Sequence, residues 1–215
     1  MIQIRQFLIV LVIISCIASC KKKDEERPVV TLRGNSFMII ILNSDFTDPG
    51  ADAYDNTDGS LYVETTGTVN PDFAGTYYIV YSATDAAGNS GQSVRTVVVR
   101  NEAEIYNGEY TGTCYTLSDT TSFLSAAMIS TTLNKRIWIA GFADHQNVSV
   151  FADISNDSIR FPSQLAMVGN TAVFHKYEGL GLIKTISDTT IFEIHFTDSV
   201  SGNITSGDMV YKKMF

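Results

Sequence analysis

Residues 76–100 read TYYIVYSATDAAGNSGQSVRTVVVR, and the alternation in this stretch decides the fold. Tyr77, Ile79, Tyr81 and Ala83 fall at every second position, so they share one face of a strand over Thr76–Thr84. Val94, Thr96, Val98 and Arg100 alternate with Arg95, Val97 and Val99 in a second strand over Ser93–Arg100. Between the two, the run from Asp85 to Gly91 is turn chemistry, with Gly88 and Asn89 able to supply the positive φ of a tight reversal. A hairpin of this kind needs a second layer to cover its apolar face.

That layer is expected upstream. Val29–Leu32 and the apolar Phe37–Leu42 read as strands, Asp45–Gly59 as acidic turns and Leu61–Thr65 as a third strand. Short strands at this spacing predict a small β-sandwich over residues 28–101. The landmarks Asp48-Pro49-Gly50-Ala51, Asp58-Gly59, Gly75-Thr76-Tyr77 and Thr84-Asp85-Ala86-Ala87-Gly88-Asn89 carry a family resemblance. The segment resembles the Ig-like domain of unknown function found in bacterial surface proteins and in an insecticidal crystal toxin. The resemblance implies a spacer or adhesive module. Asp72, Gly75 and Tyr77 also resemble the tyrosine corner of Ig-like sandwiches, in which the phenol bonds back to backbone.

Downstream, residues 105–215 read as an antiparallel meander. Expected strands are Tyr106–Tyr115, Arg136–Phe142, Val148–Ile154, Ser158–Phe161, Thr171–Tyr177, Gly181–Ile186, Thr190–Thr197 and Asp208–Met214. Turns are expected at Ser155-Asn156-Asp157, Gly169-Asn170, Glu178-Gly179 and Ser187-Asp188. Ser122–Met128, SFLSAAM, is the one place that suits a helical turn. About eight such strands close most simply into an up-and-down barrel or a curled sandwich, which removes exposed edges. The chain is therefore expected to be all-β. Tyr106–Gly112 and Ile154–Gln164 loosely resemble the lipocalin-like domains of Bacteroidetes lipoproteins.

The amino terminus carries the address. Phe7–Ile14, FLIVLVII, is an unbroken apolar run closed by Lys21-Lys22-Lys23. It is short for a membrane-spanning helix, which needs about 20 apolar residues, and suits the core of a signal peptide over residues 1–19. Ile17-Ala18-Ser19-Cys20 resembles the bacterial lipobox. That resemblance implies acylation of Cys20 and anchorage in the lipid bilayer, palmitate being a typical chain. Each buried methylene contributes ~0.8 kcal/mol, so more than one chain holds stably. Ile13-Ile14-Ser15-Cys16 also fits but leaves a very short apolar core. Residues 20–27 form a charged tether. Asp24, Glu25 and Glu26 resemble the acidic cluster that follows the lipidated Cys in outer-membrane lipoproteins exposed on the cell surface of Bacteroidetes.

Composition narrows the function. The chain has 15 Lys+Arg against 23 Asp+Glu, a net charge of −8, which argues against a nucleic-acid partner. Once Cys16 and Cys20 are assigned to the amino terminus, Cys114 stands alone, so neither an internal disulfide nor a zinc site of cysteine pairs is expected. No nucleophile elbow is present. His175, Glu193 and His195 could form a His–His–Glu metal site, although no H-x-H or H-E-x-x-H spacing supports it; His145 is expected in a loop. The aspartates Asp45, Asp48, Asp52, Asp55 and Asp58 are dense enough for calcium, but their spacing is not that of an EF-hand and turn capping accounts for them.

Trp138, Phe142, Phe174 and Tyr177 are candidate ligand-stacking residues, with a core role as the plainer alternative. Thr120, Ser158, Thr189 and Ser199 each follow an aspartate in a pattern that resembles the O-glycosylation motif of Bacteroidetes. The expectation is a non-enzymatic outer-membrane lipoprotein without a cofactor or metal. Its Ig-like spacer presents a β-domain that binds a glycan, an envelope protein or a small apolar ligand. The alternatives are a structural envelope component and, less favoured, a hydrolase accessory.

Overall fold

The computed structural model describes residues 23–143, 145–169 and 173–214. Cys20 and the signal segment lie outside them. Among the described residues, no helix is long and apolar enough to cross a membrane. The described residues are all-β apart from one 3₁₀ turn at Glu102–Tyr106. Two compact units are present. The first comprises the described residues through 36, with 48–67 and 79–95. The second comprises 37–47, 68–78 and the described residues from 96 onward.

The Ig-like region contains β1 (Val29–Leu32), β2 (Phe37–Ile41), β3 (Ala51–Asp55), β4 (Gly59–Leu61), β5 (Glu64–Thr66), β6 (Gly75–Thr84) and β7 (Ser90–Arg100). One sheet has the order β1-β3-β4 and the other β2-β7-β6-β5. The expected acidic turn thus contains β3, and the expected third strand is split into β4 and β5. The alternation of the 76–100 stretch holds, with Ile79, Tyr81, Ala83, Val97 and Val99 buried. The expected tyrosine corner is formed, as the Tyr77 hydroxyl donates to the Phe73 carbonyl at 2.8 Å.

Arg95 is the most deeply buried of three charged residues in the core of the first unit, with Asp55 and Asp85. Its side chain is fully buried and ion-pairs with Asp48. It also donates to the Tyr81 hydroxyl at 2.7 Å, to the Asn35 carbonyl at 3.0 Å and to the carbonyls of Arg33 and Gly50. A buried charge is tolerated only when paired and fully hydrogen-bonded, and here one guanidinium satisfies three loop carbonyls. Burial and the hydrogen bond to Asp48 push the Tyr81 hydroxyl up to about 12, so the phenol stays protonated and donates to the carboxylate.

The second unit contains a closed barrel of eight antiparallel strands. They are β8 (Gly108–Tyr115), β9 (Thr120–Ile129), β10 (Arg136–Phe142), β11 (His145–Ser155), β12 (Ser158–Met167), β13 (Phe174–Ile186), β14 (Thr189–Val200) and β15 (Asn203–Lys213). Each strand pairs with the next, and β15 pairs back onto β8 from Asp208↔Tyr115 to Lys213↔Tyr110. Eight strands are expected and eight are found, but they are not the same eight. The SFLSAAM stretch is strand β9, with Phe123, Ser125 and Ala127 inward and Leu124 and Met128 outward. Pairing to β8 and β10 overrides its weak helical preference.

The expected turn at Glu178-Gly179 is absent, and the two strands beside it are the single strand β13. The glycines there serve close packing rather than reversal. A Cβ at Gly181 would collide with the Glu193 carbonyl. Strand β12 does break its register, between Phe161 and Gln164. Pro162 sits at that bulge, where a missing N–H does no harm. The Gln164 amide bonds both backbone groups of Phe151, at 2.9 and 2.8 Å, and so replaces the lost pairing to β11.

At the entry to the barrel, buried Asn101 caps the 3₁₀ turn by accepting from Ala103 N–H at 2.9 Å. It also donates to the Ser130 carbonyl at 2.8 Å. The barrel interior is a packed core that includes Tyr110, Phe123, Ile139, Phe142, Val150, Phe161, Tyr177, Phe192 and Tyr211.

Two stability outcomes follow from this packing. Arg95→Ala should cost about 3–5 kcal/mol, because Asp48 and three carbonyls lose their partner. A loss under about 1 kcal/mol in urea unfolding would show the cluster to be dispensable. Phe123→Ala should likewise cost about 3–5 kcal/mol and exposed Leu124→Ala about 0.5 or less; similar costs would mean that β9 does not alternate.

Candidate functional site

In a meander, successive hairpins alternate between the two ends of the barrel. The β8–β9, β10–β11, β12–β13 and β14–β15 connections therefore share one end, opposite the 3₁₀ entry. A cavity of about 520 Å³ opens there, lined by polar Thr116, Ser118, Asp119, His145, Asp198 and Ser206 and by apolar Leu117, Ala143, Phe196 and Ile204. Its volume lies within the range of ordinary small-molecule sites.

The floor of this mouth is built by strand alternation. Along β14, Phe192, Ile194 and Phe196 point inward, and the next inward position is Asp198, at 8% exposure. His175 is the second residue of β13, the neighbouring strand, and its Nδ1 lies 2.8 Å from Asp198 Oδ2. With Asp198 ionised, this nitrogen is the donor and the bond orients the ring. His145, the first residue of β11, packs edge-on against His175 with ring centroids 5.2 Å apart. Tyr177 stacks on the His175 ring at 5.8 Å and meets Phe142 at 5.4 Å. Below that level the interior is filled by aromatic and aliphatic side chains.

The Oδ1 atom of Asp198 is shut off from solvent and has no hydrogen-bond partner in the described structure. One ligand atom each from His145, His175 and Asp198 lies within 4.8 Å of the other two. Two imidazoles and a carboxylate suit a polar ligand, and the same donor set suits zinc or a related borderline metal. The group differs from the His–His–Glu arrangement that the sequence allowed but did not favour. His195 bonds Asp208 at 2.8 Å on the outer face, and Glu193 pairs with Lys184. Of that trio, only His175 is at the mouth. Asp198 had a readable signal, since a carboxylate that continues an inward apolar row at a strand end marks where the core gives way to water.

The aromatic candidates separate. Phe142 and Tyr177 are fully buried in the core, whereas Trp138 is 41% exposed on the barrel exterior beside Phe151, at 5.6 Å. Phe174 is exposed at the start of β13. The structure does not gather these rings into one platform. A second cavity, of about 480 Å³, lies on the outer face at the β12 bulge and includes Arg160, Pro162, Glu178, Leu180 and His195. Of the glycosylation candidates, Thr120 is exposed, Ser158 and Ser199 are half-buried and Thr189 is buried.

The five clustered aspartates also diverge. Asp48 serves Arg95, and Asp52 pairs with Arg33, which holds its carboxyl below the usual range. Asp55 accepts from the N–H groups of Thr57 and Asp58, and Asp58 accepts from Ala86 N–H.

Residues 30–99 match the family described as bacterial surface protein, Ig-like domain. No curated protein matches the chain significantly. Among solved structures, the chain is similar to the lipoprotein BT2262 from Bacteroides thetaiotaomicron. The identity is 16%, 87% of this chain and 100% of that one are covered, and the TM-score is 0.34. It is also similar to a structure of CBM51-2 in complex with GlcNAc and INT domains from Clostridium perfringens ZmpB, at 14% identity. Here 86% of this chain and 44% of the other are covered, with a TM-score of 0.30. At such scores neither likeness carries an argument about function.

Core and surface aromatics should separate in solution. Phe142→Ala is expected to cost about 3–5 kcal/mol in chemical denaturation, and Trp138→Ala less than about 1.5 kcal/mol. The reverse order would place Trp138 in the core.

Proposed function

We propose that this protein is a lipid-anchored component of the bacterial cell envelope. In this reading its Ig-like domain is a spacer, and its barrel binds a small polar ligand, a glycan fragment first among them. The observation that carries the binding role is the mouth cavity. It sets Ser118, Asp119, His145 and Asp198 beside Leu117, Phe196 and Ile204, with His175 held against Asp198, above an interior that is filled among the described residues. A filled interior leaves no calyx for an apolar ligand, so recognition falls to the polar end.

The envelope location is supported by the Ig-like match over residues 30–99, and the anchor by the lipobox resemblance around Cys20. A binding role is preferred to a catalytic one because no nucleophile motif accompanies the site. The His175–Asp198 pair is the one feature that favours a second, hydrolytic reading, since a carboxylate that orients an imidazole also suits a general base.

The anchor is tested by growth with labelled palmitate. The wild-type chain and Cys16→Ser should take up label and Cys20→Ser should not; a labelled Cys20→Ser protein would refute this attachment point. The binding site is tested on a glycan array. Asp198→Asn should weaken any hit about tenfold or more, since hydrogen bonds to a charged group are lost. Trp138→Ala should leave it intact. Loss with Trp138→Ala alone would move the site to the barrel exterior.

A further inference from the structure

Three aspartates from distant parts of the sequence meet in the first unit. Asp24 belongs to the charged tether, Asp55 ends β3, and Asp85 opens the β6–β7 turn. One carboxylate oxygen from each lies within 4.8 Å of the other two. Asp55 is 1% exposed and Asp85 6%. The Oδ1 atom of Asp55 already accepts two backbone N–H bonds, at 2.8 and 3.0 Å. Its Oδ2 is buried with no partner, and so is Oδ2 of Asp24. Among the described residues, no Lys or Arg forms an ion pair with any of the three.

This arrangement is costly as it stands. An ionised carboxylate removed from water needs a counter-charge, and three together also repel one another. The carboxylate of Asp85 is already an acceptor, taking hydrogen bonds from Asn89 through both backbone and side chain. The surrounding bonds also fix the geometry. Asn89 donates to Asp85 through N–H and Nδ2, both at 2.7 Å, and Nδ2 also donates to the Asp24 carbonyl at 3.2 Å. The tether is thereby held to the turn, and the two unpartnered oxygens have capacity to spare.

We infer that Asp24, Asp55 and Asp85 form a cation site whose occupant is calcium. The donors are all hard oxygens, which exclude a preference for zinc or copper. Calcium takes 6–8 oxygens with flexible geometry, so three carboxylates, bidentate in part, and waters complete its shell. Magnesium demands a stricter octahedron and gives up its waters reluctantly, so it fits a three-carboxylate pocket less well. The consequence is mechanical. Asp24 lies in the tether just after the proposed lipidation site, so calcium would fasten that segment to the Ig-like region. The site itself depends neither on the proposed anchor nor on the barrel mouth.

The test uses the full chain in detergent, with equilibrium dialysis against labelled calcium and thermal melting. One calcium per chain should be retained. About 2 mM calcium exceeds the ~10⁻⁴–10⁻³ M dissociation constants of extracellular modules, and should raise the melting temperature of the Ig-like transition by about 4–8 °C. EGTA should reverse the rise, and equal magnesium should produce less than half of it. Asp24→Asn should abolish both retention and rise while melting in EGTA no lower than wild type, because it removes a like charge without touching a strand. Asp52→Asn, outside the cluster, should respond like wild type. Equal melting in calcium and EGTA, or an Asp24→Asn protein that still gains stability from calcium, overturns the site. Asp24→Asn decides the question even if Asp55→Asn fails to fold.

Discussion

The pairing of β15 with β8 is the constraint on which the structure of the second unit depends. A closed eight-stranded sheet encloses a volume just wide enough for its own side chains. Here that volume is taken by aromatic rings, and glycines make room where strands and rings approach. Gly112 faces Phe123, and Gly207 faces Phe196 and the Tyr115 carbonyl; a Cβ at either would collide. Once the interior is committed in this way, a ligand can be met only at an end or on the outside. Strand alternation then determines what the open end presents. The inward row of β14 runs from Phe192 through Phe196 to Asp198, so the last buried residue of the row is an acid. That acid finds His175 on the next strand.

The first unit solves a different problem. Short sheets enclose little apolar volume, and its layers are held by polar contacts directed inward. Ser93 donates to the Val30 carbonyl at 2.6 Å, and Arg95 collects the carbonyls of Arg33, Asn35 and Gly50. The many aspartates of this region divide into those that satisfy a buried cation, those that cap turns and those whose charges gather without one. Asp48 belongs to the first group, Asp58 to the second and Asp24 with Asp85 to the third. Asp55 and Asp85 do two jobs, since each accepts turn N–H groups as well as joining the charge cluster.

Much of this was legible in residue order. Period-two alternation in 76–100 placed both long strands of the Ig-like region, and turn residues marked the β11–β12 and β13–β14 hairpins of the barrel. Alternation was also present in SFLSAAM, but its Ala, Ser, Leu and Met also suit a helix, and only pairing to both neighbours decides for a strand. Gly179 read as a turn because glycine serves both reversal and close approach, and sequence does not distinguish them. The candidate site was less visible. His145, His175 and Asp198 lie on three strands, and their meeting depends on which hairpins share an end of a closed sheet. Asp24, Asp55 and Asp85 are equally scattered. Aromatic identity alone suggested that Trp138, Phe142 and Tyr177 belong together, whereas strand parity puts the first outside and the other two within.

The central claim is that recognition occurs at the polar mouth of a solid barrel. Solution NMR mapping of backbone and side-chain shifts on addition of a bound glycan addresses it most directly. The account predicts that shifts cluster at Ser118, Asp119, His145, His175, Asp198 and Ser206, with Ile139, Val150 and Trp138 unmoved. Shifts centred on Ile139 and Val150 would mean that the barrel opens to admit the ligand. Shifts centred on Trp138, Met128 and Phe151 would put recognition on the outer wall, and either result would contradict the account.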